Sequence, residues 1–263
     1  MINYRIAEDA RPQVKLLIVA TLISFGLWLA SWFLPALGYI VYPLQLFATF
    51  IHEGSHVLAS LLTDSPVQSL TVSYDASGEV YSQGSSWLAN LFISSAGYLG
   101  TTAFGAALLA WIRFGFSAKR ALYVSSGIVA VLTVAFGVLA PMWNFLATVT
   151  VGSLLFTVVS GVALTAGLFV VARYANQKWA SFALAFLAVQ CLLNAVFDLI
   201  NLFYISSFTS MHSDAANMAA ATGLPAIVWA VLWIGISLLM ISIGLRIYAV
   251  NKKSSTNDTV FED

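Results

Sequence analysis

The residues best suited to chemistry stand at positions 52–56, where the sequence reads His-Glu-Gly-Ser-His. On a helix, His52 and His56 are four residues apart and lie on one face, so both imidazoles can bind one metal ion. Glu53 then lies beside a metal-bound water and can accept its proton. The pattern predicts a zinc site that activates water, with His52 and His56 as ligands and Glu53 as the catalytic general base.

This motif lies within a run of apolar residues that is long enough to form a membrane span. An ionisable side chain at that depth costs at least ~2.5–3.5 kcal/mol on insertion scales. Ionisable residues therefore persist in such segments mainly because they serve a function. The setting makes a chance occurrence of the motif a poor explanation.

The motif and its surroundings resemble the M50B-like branch of the site-2 protease family, whose members are intramembrane zinc metallopeptidases. The resemblance rests on residues 52–56, on the strand-like segment that follows them, and on Ser-Ala-Gly-Tyr-Leu-Gly at 95–100. It runs from about Leu46 to Trp233. It implies a Zn²⁺ cofactor and the hydrolysis of peptide bonds in membrane-anchored protein substrates.

The composition is that of a polytopic membrane protein, because 60% of the residues are hydrophobic and only 8% are charged. We expect a multi-pass protein of the lipid bilayer, in a bacterial cell membrane. The net charge is zero and no basic run interleaves with aromatic residues, so a nucleic-acid partner is not expected. The single cysteine, Cys191, excludes an internal disulfide and a cysteine-based metal cluster.

Seven stretches are long and apolar enough to cross a bilayer, which takes ~20 residues of helix. They predict an all-α membrane protein of about seven transmembrane helices, as one domain over 1–250 with a disordered polar tail at 251–263. The predicted spans are 14–35, 39–62, 88–112, 120–140, 146–172, 179–204 and 225–249.

Between Val67 and Ser82, alternating apolar residues flank a turn sequence, Asp-Ala-Ser-Gly at 75–78. This pattern predicts a short β-hairpin. In the resembling family a strand in this region is thought to pair with an extended substrate, which would satisfy the backbone groups of an unwound target helix. The alternative is a plain capping loop.

The resemblance also implies a third zinc ligand, an aspartate from a later helix. Glu53 and Asp198 are the acidic residues inside the predicted spans, and the others fall in the N-terminal segment, the loops or the tail. A carboxylate at that depth needs a partner, and no Lys or Arg lies in the interior of a span. Asp198 is therefore predicted to complete the zinc site; the alternative is a buried aspartate satisfied by a neighbouring asparagine.

Asp198 ends an Asn-x-x-x-Asp pattern that begins at Asn194. Classical site-2 proteases carry an Asn-Pro-rich segment ending in Leu-Asp-Gly, and the prolines and that glycine are missing here, whereas the pattern resembles the M50B-like branch. Asn194 lies one helical turn before Asp198 and is predicted to be catalytic, orienting the aspartate or donating a hydrogen bond to the substrate. Asn201 lies on a similar face.

Asp214 is the second candidate for the third ligand, because His212 and Ser213 precede it in a loop on the same side as the site. The pair Ser213-Asp214 is also an ordinary helix N-cap for residues 215–222. We favour the capping interpretation.

A polar cavity must bring water to the site, and its predicted lining is Ser55, Asn90, Ser94, Ser95 and Asn194.

The distribution of Lys and Arg bears on the orientation in the membrane, because positive residues favour the cytoplasm. The later clusters at 113–120, 173–178 and 246–253 fall on one side, opposite to the segments 63–87 and 205–224, which contain no Lys or Arg. The N-terminal basic residues argue for the reverse if all seven stretches cross. The conflict disappears if the first stretch enters and leaves the membrane on the same side, or if the number of spans differs by one.

Two other functional classes stay open. One is a membrane protein that binds metal without proteolysis, although structural zinc would not require Glu53 as a general base. The other is a metal-ion transporter that uses His52, His56 and Asp198 as its path.

Overall fold

The computed structural model describes residues 6–31, 33–146, 149–208 and 213–249. The predicted fold class is confirmed, since helices dominate and a small antiparallel hairpin follows the second one. The elements are α1 (Arg11–Ser31), α2 (Gly38–Leu62), β1 (Val67–Val72), β2 (Gly78–Ser82), α3 (Trp87–Phe114), α4 (Ala118–Val131), a π-helical stretch (Leu132–Leu139), α5 (Ala140–Trp143), α6 (Val151–Tyr174), α7 (Gln177–Phe208), α8 (Asp214–Thr222) and α9 (Ala226–Arg246). Single turns of 3-10 helix precede α1 and α2.

Six helical segments of the described chain are long and apolar enough to cross a membrane. They are Glu8–Ser31, Trp87–Phe114, Ala118–Trp143, Val151–Tyr174, Gln177–Phe208 and Ala226–Arg246. The remaining predicted stretch, 39–62, forms α2, a helix of 25 residues that contains Pro43 and the His-Glu-x-x-His motif. The predicted tail at 251–263 lies outside the described residues, and the assignment of 1–250 to one domain stays a prediction.

Helix α3 is the central element, because α2, α7, α8 and α9 all pack against it. Helix α4 packs against α6, and α1 lies against α7. Large apolar residues such as Phe47, Phe50, Leu122 and Leu184 are fully buried between the helices. Other apolar side chains, including those of Leu22 and Leu155, are exposed, as expected of surfaces that contact lipid.

The hairpin lies along α2. The Tyr42 hydroxyl donates to the Tyr74 carbonyl (2.5 Å), and the Thr49 hydroxyl donates to the Ala76 carbonyl (2.7 Å). Strand β1 is buried on its other edge against α6, where the Val72 N–H donates to the Thr157 hydroxyl (2.8 Å). One edge of the hairpin is thus packed into the bundle, while most residues of β2 are exposed.

The hairpin turn is fixed by local hydrogen bonds. The carboxylate of Asp75 accepts from the Ser77 N–H (3.0 Å) and from the Ser77 hydroxyl (2.6 Å). These bonds hold the pKa of Asp75 below its usual value. The two strands pair Leu70 with Val80 and Val72 with Gly78, which sets Gly78 at the start of β2, next to α2.

Candidate metal centre

Three possible metal ligands meet where α2 faces the start of α8. The Asp214 Oδ2 atom lies 3.5 Å from His52 Nε2 and 3.3 Å from His56 Nε2. The ligand atoms of all three residues lie within 4.8 Å of one another. The helical spacing thus places both imidazoles on one face, as the sequence indicates, and Asp214 closes the group.

These separations fit a tetrahedral zinc site. Bonds of about 2.0–2.2 Å to nitrogen and oxygen place neighbouring ligand atoms about 3.3–3.5 Å apart. Both measured separations from Asp214 fall in that range. Two imidazoles and one carboxylate leave a fourth position for water, which is the arrangement of catalytic zinc sites.

Hydrogen bonding and ring packing orient the two histidines. His56 Nδ1 lies 2.7 Å from the carbonyl oxygen of Ile93. Because a carbonyl can only accept, Nδ1 carries the proton, and Nε2 keeps its lone pair for a metal. His52 packs edge-on against Tyr98, with ring centroids 4.6 Å apart, and Tyr98 in turn stacks on Trp233.

Gly97 of α3 packs directly against both imidazoles. A Cβ atom at this position would overlap Nε2 of both His52 and His56. Any larger residue here would occupy space that the ligand atoms need. The resembling stretch at 95–100 thus contains a residue whose small size the site requires.

Glu53, the predicted general base, is buried with 4% exposure and lies in the same cavity as the histidines. Gly78 of the hairpin packs directly against it, since a Cβ there would lie 2.5 Å from Glu53 Oε1. The carboxylate is therefore enclosed by α2 and by the hairpin.

Asp214 is the first residue of α8. The Ser213 hydroxyl accepts a hydrogen bond from the Ala216 N–H (3.2 Å) and caps the helix. The capping role and the ligand role thus fall to neighbouring residues. Burial alone would raise the pKa of Asp214. When the histidines are protonated and hold no metal, the charge of His56 and hydrogen bonds from His52 and His56 outweigh burial and hold that pKa well below its usual value.

The structure places the other predicted residues differently. Asp198 lines the cavity together with Asn201, but Asp214, not Asp198, completes the group of three ligand atoms. Asn194 is not among the described residues that line the cavity, and its side-chain nitrogen is buried without a described hydrogen-bond partner. The catalytic role of Asn194 stays a prediction, and His212 lies outside the described residues.

The cavity around the metal centre has a volume of about 1010 Å³. The hairpin, α2, α3, α7 and α8 all contribute to its wall. Of the predicted polar lining, Asn90 and Ser94 take part, whereas Ser55 donates its hydroxyl to the Ile51 carbonyl and Ser95 to the Leu91 carbonyl. The described lining includes no Lys or Arg.

Apolar spanning helices surround this candidate metal centre, so fold and site together define a multi-pass integral membrane protein with a polar reaction cavity. A family model described as Peptidase M50B-like matches residues 17–244, and the chain belongs to this family. Membership supports its assignment as a peptidase. Searches among curated proteins and among solved structures gave no significant match.

Proposed function

We propose that the protein is an intramembrane zinc endopeptidase that hydrolyses peptide bonds of membrane-anchored proteins. The observation that carries the proposal is the convergence of His52, His56 and Asp214 at zinc-ligand separations. Glu53, one residue after the first ligand, faces the same cavity. A purely structural metal site would have no use for this base.

In the proposed reaction, His52, His56 and Asp214 hold the zinc. When bound, zinc supplies Lewis-acid polarisation and lowers the pKa of a coordinated water to about 7. Glu53 accepts the proton of the attacking water and then delivers it to the nitrogen of the departing amine. His56 keeps its orientation through Ile93, so its lone pair stays directed at the centre.

The hairpin is the proposed substrate-binding element. Every residue of β2 lines the cavity, whereas the other strand is paired on one edge and packed on the other. An extended peptide can add to the outer edge of β2 and satisfy its own backbone groups there. This pairing would hold the scissile bond near Glu53, because Gly78 contacts that residue.

We take Asp214 as the third ligand on geometric grounds, in place of Asp198. Asp198 then remains a further carboxylate on the cavity wall, beside Glu53 and Glu79. Neither a metal-ion transporter nor a non-proteolytic metal-binding protein would need Glu53 as a buried base enclosed by the hairpin. Hydrolysis accounts for the ligand group, the base and the strand together.

The test is cleavage of a single-span protein substrate in proteoliposomes that contain purified enzyme and zinc. We expect the wild type to cleave, and Glu53→Gln to retain zinc and lose cleavage. Glu8→Gln is the matched control, because this substitution makes the same chemical change on an exposed side chain. Cleavage by Glu53→Gln at the wild-type rate would refute the proposal, as would zinc uptake into the vesicles without cleavage.

A further inference from the structure

Contacts between distant segments join the two described termini at one end of the bundle. The Ala7 N–H donates to the Tyr248 carbonyl (3.0 Å). The guanidinium of Arg113, at the end of α3, donates to the Asp9 carboxylate (2.8 and 3.2 Å) and to the Ile247 carbonyl (2.9 Å). The start of α1 and the ends of α3 and α9 therefore share one end, which we call the basic end.

The number of crossings agrees with this contact. Six spanning segments in the described chain return the C-terminal end of α9 to the side on which α1 begins. Seven crossings would place these two ends on opposite faces. Helices α1 and α2 together therefore carry the chain from the basic end to the opposite end, where α3 begins.

The positive residues of the described chain all lie at or near the basic end. Helices α4 and α6 run antiparallel, since Ser126 donates to the Thr165 carbonyl and Tyr123 packs on Phe169, so the end of α6 lies level with the start of α4. The described positive residues at this end are Arg11, Lys15, Arg113, Lys119, Arg120, Arg173, Lys178 and Arg246. The conflict between N-terminal and later basic residues thus disappears.

The reaction cavity lies toward the opposite end. There the base of the hairpin meets the start of α3, because the Ser85 hydroxyl donates to the Thr63 carbonyl (2.6 Å). The indole of Trp87 donates to the Ala221 carbonyl at the end of α8 (2.6 Å). The described connecting residues at this end, 63–86, 144–146, 149–150 and 213–225, include no Lys or Arg.

We infer that the cavity opens on the non-cytoplasmic face of the membrane and takes peptide segments presented at that face. Basic residues are retained on the cytoplasmic side, so the basic end is cytoplasmic and the end with the hairpin and α8 is not. The orientation follows from contacts and charge alone. The substrate class rests on the proposed function as well.

Cysteine labelling in cells tests the orientation without requiring activity. The native Cys191 is fully buried, so it gives little background. Asn217→Cys places a thiol on the exposed cavity face of α8, and Gln177→Cys places one at the exposed start of α7. We expect a membrane-impermeant maleimide to label Asn217→Cys in intact spheroplasts of a bacterial host and Gln177→Cys only after lysis.

Ala220→Cys, also exposed on the cavity side of α8, repeats the first arm if Asn217→Cys fails to fold. The reverse pattern, or the same pattern at both ends, overturns the inference.

In the second arm, single-span substrates carry the same target sequence at either the non-cytoplasmic or the cytoplasmic membrane boundary. We expect loss of cleavage at the cytoplasmic position; the opposite preference overturns the substrate class.

The two arms separate the two proposals. If labelling has the expected pattern and neither substrate is cut by the wild type, the proposed function fails while the orientation stands. If the wild type cuts a substrate and Glu53→Gln does not, but the labelling pattern is reversed, the orientation fails while the peptidase assignment stands.

Discussion

Gly78 lies directly against Glu53, so that a Cβ on this glycine would lie 2.5 Å from the Glu53 carboxylate oxygen and 2.6 Å from its Cγ. The hairpin thereby encloses the proposed general base on the side away from α2. This contact connects the strand that would bind substrate with the group that would move the proton. Glycine at this position lets the backbone approach the carboxylate.

Substitution Gly78→Ala should displace Glu53 without touching the metal ligands. Because a shift of about 1 Å in a reacting group can cost ~100-fold in rate, we expect kcat to fall by about that factor with zinc content unchanged. Gly167→Ala is the control, since a Cβ there meets nothing within 4 Å. Wild-type activity in Gly78→Ala would show that the contact has no role in positioning the base.

Substitution Gly97→Ala should act on the metal itself. The added methyl group overlaps the ligand nitrogens of both His52 and His56, so the imidazoles must rotate away from the centre. We expect zinc affinity to fall by at least about tenfold, the lower bound for disturbing ligand orientation. Titration with a zinc chelator measures this, with Gly127→Ala as the unobstructed control; equal affinities would contradict the packing.

The attachment of the hairpin to α6 can be tested by two matched substitutions. Thr157→Val removes the acceptor of the buried Val72 N–H, and an unsatisfied buried donor costs ~1–3 kcal/mol. Thr165→Val, in the same helix, removes a buried hydroxyl that has no hydrogen-bond partner in the described structure. Thermal unfolding in detergent should show destabilisation by the first substitution alone, and equal midpoints would count against this anchor.

Pairing of the substrate with β2 predicts sensitivity to the substrate backbone. N-methylation of amides flanking the scissile bond removes strand hydrogen bonds and keeps the side chains. We expect KM to rise for peptides methylated at alternate positions that face β2, and to change little for methylation of the intervening amides. A uniform effect along the peptide would argue against strand addition.

Hydropathy and the spacing of His52, Glu53 and His56 were enough to predict the spanning helices, the hairpin and the face that carries the histidines. The choice between the two candidate third ligands was not predictable in this way, because elimination among the spans favoured Asp198 and left Asp214 as the second candidate. Asp214 instead begins a short helix, capped by Ser213, that folds back over the histidines. Only tertiary packing of α8 on α3 and α9 reveals this.

Asn194 illustrates a second limit of helical periodicity. Asp198, Asn201, Leu202 and Ile205 form a stripe on α7 that lines the cavity. Asn194 continues this stripe by one turn, beyond the last residue of α7 that lines the described cavity. Periodicity gives the face of a helix, but the depth at which a cavity ends depends on the packing of the neighbouring helices.

The central claim is that Asp214, with His52 and His56, holds the zinc. Its most direct test is the zinc content of purified Asp214→Ala and Asp198→Ala, measured by elemental analysis beside the wild type. We predict that the wild type and Asp198→Ala bind zinc equally, whereas Asp214→Ala loses it. Full zinc in Asp214→Ala together with its loss in Asp198→Ala would contradict the account.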